Sequence, residues 1–348
     1  ICIAIQSSVR PVDVLFSIIR QTLSSGKISM VCTNIHSEER SMFGAESEFK
    51  PLRKVLMHTP NQSLGRVNHT NYEHYLFMTP VFARRFTEEH QAFVDLLRGE
   101  GVRVVLIETI LGNDLAALDV INRHPNLTYV RDTVSILKHG YIRMRMASGV
   151  RQAEPRICER AVTELGIPRL LQVKDQGVLE GGDFVYVDDV TLAVGVGKRT
   201  NRKGVAQLEG TVLGRCVDQL IVIPLFPWNV HLDGAFMMID EDLALVHSES
   251  LKKTATLLQA GRKPRKIGFL GYLAKKGIDA IEVNSLERYM RGTNVVCLAP
   301  RKCVIYKWND QTSRRLRGHG VDVLEIEGNE LLRGGGGPHC MTAPILRG

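Results

Sequence analysis

The sequence predicts an α/β or α+β layered domain, on three observations. Apolar runs of strand length alternate with segments of helical spacing from Arg53 to the end of the chain. Hydrophobic residues make up 44% of the 348 positions and charged residues 24%, so a full core can be buried. The longest apolar run, Leu220 to Trp228, is broken by Pro224 and Pro227, so no segment is fit to span a membrane as a helix.

The elements follow in order. Val14 to Leu23 has the spacing of a short amphipathic helix that Ser24, Ser25 and Gly26 end, and residues 1–44 read as an N-terminal extension to a single catalytic domain over 45–348. The chain starts at Ile1, not Met, and the apolar start Ile1 to Ile5 is too short, and lacks the basic flank, for a secretory segment. Lys54 to His58 is a buried strand leading to a turn at Pro60. Ala83 to Arg98 is a helix with Phe86, His90, Phe93, Leu96 and Leu97 on one face, stopped by Gly99 and Gly101. Val102 to Ile107, Ser135 to Arg143, Phe184 to Val194 and Gln219 to Ile223 read as strands, with a helix over Gly204 to Leu213. Ala235 to Ile239 and Leu243 to His247 flank a turn at Asp240 to Asp242, and Glu249 to Ala260 reads as a helix. Val295 to Ala299, Cys303 to Lys307 and Val321 to Ile326 are strands, with a helix over Asp310 to Arg317.

The net charge of +8 raises nucleic acid as a partner, but Lys and Arg are spread along the chain and no aromatic residues interleave with them, so nucleic-acid binding is set aside. Seven cysteines with no CxxC pair suggest neither a zinc site nor a disulfide framework, and a reducing, cytoplasmic compartment is the simplest reading. The sequons at Asn61, Asn68 and Asn126 carry little meaning without a secretory signal.

Four polar clusters stand against the apolar pattern. Pro125 to Asp132 is a turn and strand-like run ending on Arg131-Asp132, for which a surface ion pair is the plain alternative. In Glu180-Gly181-Gly182-Asp183 two glycines let the backbone bend so that both acids can face one cavity, the alternative being an ordinary turn. His231 and Asp233, two apart, would project together from a strand, whereas a lone core histidine is the blander reading. Gly334 to Gly337, before Pro338-His339-Cys340, offer an open approach to one thiol. A glycine tail would not be followed by the apolar Ala343 to Leu346, and the spacing of a phosphate-binding loop is absent.

Together these supply a thiol, an imidazole and four carboxylates. That set suits attack on a guanidinium, which is planar and permanently charged, with a pKa of about 13.8. Carboxylates grip its N–H fork bidentately, and the bound cation favours the thiolate that attacks its central carbon. A histidine backed by a carboxylate protonates the leaving nitrogen and then deprotonates water. The substrate brings its own positive charge, so neither metal nor cofactor is expected.

These motifs resemble the arginine deiminase and amidinotransferase superfamily. The resemblance covers roughly residues 50–348. It rests on Val55 to Pro60, Asn71 to Phe77, Asn126 to Asp132, Glu180 to Asp183, Lys198 to Asn201, His231 to Asp233 and Gly334 to Thr342, in the family's order. It implies the pentein α/β propeller, five ββαβ-like units around a pseudo-fivefold axis. It implies Cys340 as the nucleophile of a covalent thiouronium intermediate, His231 with Glu180 as general acid and base, and Asp132 and Asp233 as the guanidinium grip. Asp183 would support the same cavity. Arg151 and Arg199 match arginines that hold a substrate carboxylate, and Asn126 an asparagine near the α-group.

Within the superfamily, Asp233 and Asn71 to Phe77 resemble arginine deiminase more than dimethylargininase, and Glu180 to Asp183 sets the chain apart from amidinotransferases. Two departures stand out: the family's arginine deiminases carry a substrate-binding arginine where this chain has Gly335, and a long helical insertion that is short here. A compact chain of this kind also resembles arginine dihydrolases. The expected reaction is L-arginine to L-citrulline and ammonia, in an enzyme whose partner is a small guanidino molecule and not a membrane, with a homo-oligomer left open.

Overall fold

The computed structural model describes residues 43–348, and the expected Val14 to Leu23 helix lies outside them. Described in chain order, β1 (Leu52–Met57), α1 (Ala83–Gly99) and β2 (Arg103–Leu106) come first, then β3 (Val134–Leu137), β4 (Gly140–Arg143), α2 (Glu154–Glu164) and β5 (Arg169–Gln172). Next are β6 (Phe184–Asp188), β7 (Thr191–Val196), α3 (Arg202–Val212) and β8 (Gln219–Pro224). They are followed by β9 (Phe236–Asp240), β10 (Leu243–Val246), β11 (Ala255–Gln259), β12 (Arg265–Ile267), α4 (Phe269–Lys275) and β13 (Asp279–Glu282). Last come β14 (Val296–Ala299), β15 (Lys302–Tyr306), α5 (Asp310–Gly318), β16 (Asp322–Ile326) and β17 (Ala343–Arg347).

The strands form five mixed sheets built on one plan. A central strand pairs antiparallel with one neighbour and parallel with the strand that returns through a helix: β4 with β3 and β5, β7 with β6 and β8, β10 with β9 and β13, β15 with β14 and β16. The remaining sheet is assembled from both ends of the described chain, β17 antiparallel and β2 parallel to β1. Gly44 also bridges Leu346, so pairing begins at the first described residues. A parallel return needs a helical crossover, and each helix buries one face on its sheet. In α1 the buried face is Phe86, His90, Phe93, Val94 and Leu97, near the stripe its spacing predicts.

The apolar core lies between neighbouring units. Leu56, Ile107 and Ile345 of the first unit pack with Val134, Tyr141 and Ile157 of the second, and Leu137 and Ile142 with Phe184, Leu192 and Leu208 of the third. Val185 and Ile221 share a core with Phe236 and Leu245, and these with Cys303 and Leu316. Val304 and Tyr306 of the last unit pack against Val55, Met57 and Phe93 of the first.

The structure corrects three sequence readings. Ser135 to Arg143 and Phe184 to Val194 are hairpins, turned at Lys138-His139 and Asp189-Val190, not single strands. Glu249 to Ala260 is not one helix: a single turn, Ser248–Leu251, is followed by β11, paired antiparallel with β8. The free edge of β8 offers unpaired backbone groups, and satisfying them outweighs local helical spacing.

Close approach fixes Gly140, at φ +135, where an added Cβ would stand 2.2 Å from the Pro168 carbonyl oxygen. Gly140→Ala should therefore lower stability by about 2–4 kcal/mol, strain and clash together. Urea unfolding followed by circular dichroism tests this, and an unchanged midpoint would refute it.

Candidate active site

The segment entering each hairpin is a tight turn, and these turns deliver the polar residues. Short 3₁₀ turns at Val130–Asp132, Gly181–Asp183 and Leu232–Gly234 enter β3, β6 and β9. Asn294 stands before β14 and Cys340 before β17. The residues lie on turns, not on the strands read from the sequence. A turn leaves side chains free to converge where a strand would alternate them. Neighbouring turns approach so closely that a Cβ on Gly182 would lie 2.5 Å from His231 Nδ1 and 2.9 Å from Asp132 Oδ1. Contact, rather than a special backbone bend, accounts for this glycine. The loop before Cys340 is likewise packed: a Cβ on Gly334 or Gly336 would meet Tyr129, so the loop is not the open approach that four glycines suggest.

Two cavities, of about 430 and 170 Å³, share Met78, Val230, His231, Arg291, Gly335 and Cys340 in their walls. Asp233 and Asn294 line the larger; Asn126, Asp132, Arg151 and Arg199 line the smaller. Cys340 Sγ lies 3.7 Å from Asp233 Oδ2, and the Cys340 backbone N–H donates to Asn294 Oδ1 at 3.3 Å. His231 Nε2 is 2.9 Å from Glu180 Oε2, and its Nδ1 is 3.6 Å from Asp132 Oδ1.

Charge pairing organises the centre. Arg151 donates to Asp132 Oδ2 at 2.6 Å and to Glu154 Oε2 at 2.8 Å, and Arg199 donates to Glu180 Oε2 at 3.1 Å. Arg151 thus lines the cavity with its charge already matched by two acids. Asn126 donates to the Tyr75 carbonyl at 2.7 Å. Asp183 lines neither cavity: its Oδ1 accepts from the Leu232 N–H at 3.0 Å, supporting the turn that carries His231. The expectation that Glu180 and Asp183 face one cavity is corrected: neither lines either cavity, Glu180 being hydrogen-bonded to His231 and Asp183 to the Leu232 N–H. The Arg131-Asp132 pair is replaced by Asp132–Arg151.

Burial and charge set the proton affinities. Burial pulls the His231 imidazole down, but Asp132, Glu180 and Asp183 outweigh it and raise its pKa to about 9. Burial pushes Asp183 up to about 7. The Cys340 thiol is raised by burial first, then by Asp233 and Asp132, so the resting group is a thiol. Sequence reasoning missed the buried relay behind Asp233. His339 Nδ1 is 2.9 Å from Asp233 Oδ2, and Nε2 is 3.3 Å from Glu48 Oε2. It also missed Asn294 and Arg291; only His339, beside Cys340, carried a signal.

Asp132, Glu180 and His231 bring ligand-type atoms within 4.8 Å of one another. Arg151 already donates to Asp132 Oδ2 and Arg199 to Glu180 Oε2, and cations there oppose a metal ion.

A thiol, an acid-backed imidazole and buried carboxylates around two cavities that share Cys340 and His231 are the furniture of an enzyme that hydrolyses amidine C–N bonds. The family model for arginine deiminase matches residues 118–347, and the chain belongs to that family. Arginine deiminase from Rhodococcus opacus is 27% identical, over 87% of this chain and 97% of the relative, and that of Mycobacterium avium 26% identical over 87% and 98%. Among solved structures, dimethylarginine dimethylaminohydrolase (DDAH) from Pseudomonas aeruginosa superposes with a TM-score of 0.65 at 18% identity, covering 85% of this chain and all of that one. The N-terminal domain of ArgZ, a cyanobacterial arginine dihydrolase, gives 0.66 at 15% identity, covering 84% and 97%. These structures share the pentein fold. Among the described residues no helix is long and apolar enough to cross a membrane.

The His231 assignment has a direct readout. Its pKa lies above the ordinary 6.5, so the stability it contributes is complete below pH 6.5 and is lost as pH rises through about 9. Glu180→Gln should bring the imidazole titration back toward neutrality. NMR titration of labelled histidine measures it, and an unmoved midpoint would detach Glu180 from His231.

Proposed function

We propose that the chain hydrolyses the guanidinium of L-arginine to L-citrulline and ammonia through a covalent intermediate on Cys340. The observation that carries this is the meeting of Asp233, Asp132 and the His231–Glu180 pair at Cys340, around two cavities whose walls share Cys340 and His231. We also infer that the five units surround a pseudo-fivefold axis, since each shares a core with the next and the last with the first.

The guanidinium sits between Asp132 and Asp233, whose negative charge otherwise holds Cys340 protonated. Binding the cation offsets that charge, and the thiol releases its proton to solvent as substrate arrives. The thiolate attacks the central carbon, forming a C–S bond and a tetrahedral adduct. His231, protonated at neutral pH, gives its proton to the departing nitrogen, the C–N bond breaks, and ammonia leaves a thiouronium on Cys340. The neutral imidazole then takes a proton from water, and the hydroxide adds to the same carbon. The C–S bond breaks as the hydroxyl proton passes to the departing sulfur, releasing citrulline and the resting thiol. In this reading Arg151 and Arg199 keep Asp132 and Glu180 ionised, Asp183 holds the His231 turn, and Asn126 shapes the wall of the smaller cavity.

Mass spectrometry of products from L-arginine tests the reaction: citrulline with one ammonia supports it, ornithine with two ammonia points to a dihydrolase, and no product refutes both. Cys340→Ser should lower kcat by about a thousandfold or more; a loss under tenfold would remove the nucleophile assignment. The cation-triggered thiol makes a further prediction. A halo-amidine should alkylate Cys340 on the order of a hundredfold faster than neutral iodoacetamide, relative to a free thiol. Equal relative rates would mean that the cation does not activate the thiol.

A further inference from the structure

Four arginines line the two cavities: Arg151, Arg199, Arg288 and Arg291. Asp132 and Glu154 match the first, and Glu180 the second. Arg288 and Arg291 form no ion pair among the described residues, and Glu73 on the same wall pairs with neither. Arg291 Nε and Nη2 donate to the Gly335 carbonyl at 2.9 and 2.8 Å, and Nη1 to the Tyr289 carbonyl at 2.8 Å. These acceptors are neutral, so the guanidinium is held in place with its charge unmatched. Arg288 Nε is buried without a partner. Two adjacent arginines repel and are costly to hold half-buried unless an anion joins them.

The backbone shows that the placement is imposed. Arg291 has φ +67, a left-handed conformation unusual for a residue with a side chain. Opposite it, Gly335 has φ +94, where a side chain would be strained, so that position offers only its carbonyl. The cation in this part of the wall comes from the loop before β14 rather than from the loop before Cys340.

We propose that Arg291, with Arg288 beside it, is the anion subsite that holds the substrate carboxylate and selects carboxylate-bearing guanidines over decarboxylated ones. This rests on the reading of the chain as a guanidine hydrolase. The acids take the guanidinium end of the substrate, and the unmatched arginines take the other end through charge-assisted, bidentate hydrogen bonds.

The test compares kcat/KM for L-arginine with that for agmatine, its decarboxylated analogue, in the full chain and in Arg291→Gln. The ratio of arginine to agmatine should fall about 10- to 100-fold, chiefly through KM for arginine, and Arg291→Lys should restore part of it. An equal loss on both substrates, or an unchanged ratio, would overturn the assignment; so would a parent protein that prefers agmatine. If the parent turns over neither, the hydrolase reading fails by itself. Calorimetry of L-arginine on Cys340→Ser, with and without Arg291→Gln, then decides the subsite: weaker binding without Arg291 supports it, and equal or absent binding overturns it.

Discussion

Carboxylates gathered in a buried centre have to be matched by positive charge or protonated, and the rest of this site follows from that demand. Asp132, Glu180, Asp183 and Asp233 are all buried. At the low effective dielectric of such a place, charges a few ångströms apart interact by several kcal/mol, so each acid needs a cation or a proton. Arg151 serves Asp132, while Arg199 and His231 serve Glu180. Asp233 faces His339, which also reaches Glu48. For Asp183 burial outweighs the nearby His231 charge, and it holds its proton up to about pH 7. The negative potential left over falls on Cys340, and a cationic substrate relieves it.

The fold makes this crowding possible by repetition. Five sheets of one plan place five entry turns near one another, and each turn contributes one or two side chains. No unit holds a site by itself. Cores shared between neighbouring units fix the turns against each other, so the groups are positioned before substrate binds. The glycine contacts show how tightly the turns are set: His231 lies where a side chain on residue 182 would go.

The larger cavity carries the opposite imbalance. Its wall holds Arg288 and Arg291 with no acid paired to either among the described residues, next to a centre where Asp233 and Asp132 act on Cys340. A substrate with a cation at one end and an anion at the other would answer both at once. Placing the second cation on Arg291 rather than at position 335 keeps this polarity while the Gly335 backbone, at a φ that only glycine adopts without strain, supplies an acceptor.

Much of this was legible in the chain. The α/β alternation, the α1 face of Phe86, Phe93 and Leu97, and the thiol, imidazole and acids at motif positions all show in local spacing. Spacing could not place β11, because its strand state depends on the open edge of β8. Nor could it assign Glu180 to the His231 imidazole and Asp183, three residues on, to the Leu232 N–H. Asn294, Arg291 and Glu48 are ordinary residues in sequence. They acquire meaning only because the units bring them beside Cys340 and His339. The sequence by itself determined which chemical groups the chain carries and the class of fold that would gather them, since composition and periodicity are local properties. Which acid meets which cation, and which arginines are left without one, was decided by the tertiary structure, because electrostatic pairing depends on distance in space and not along the chain.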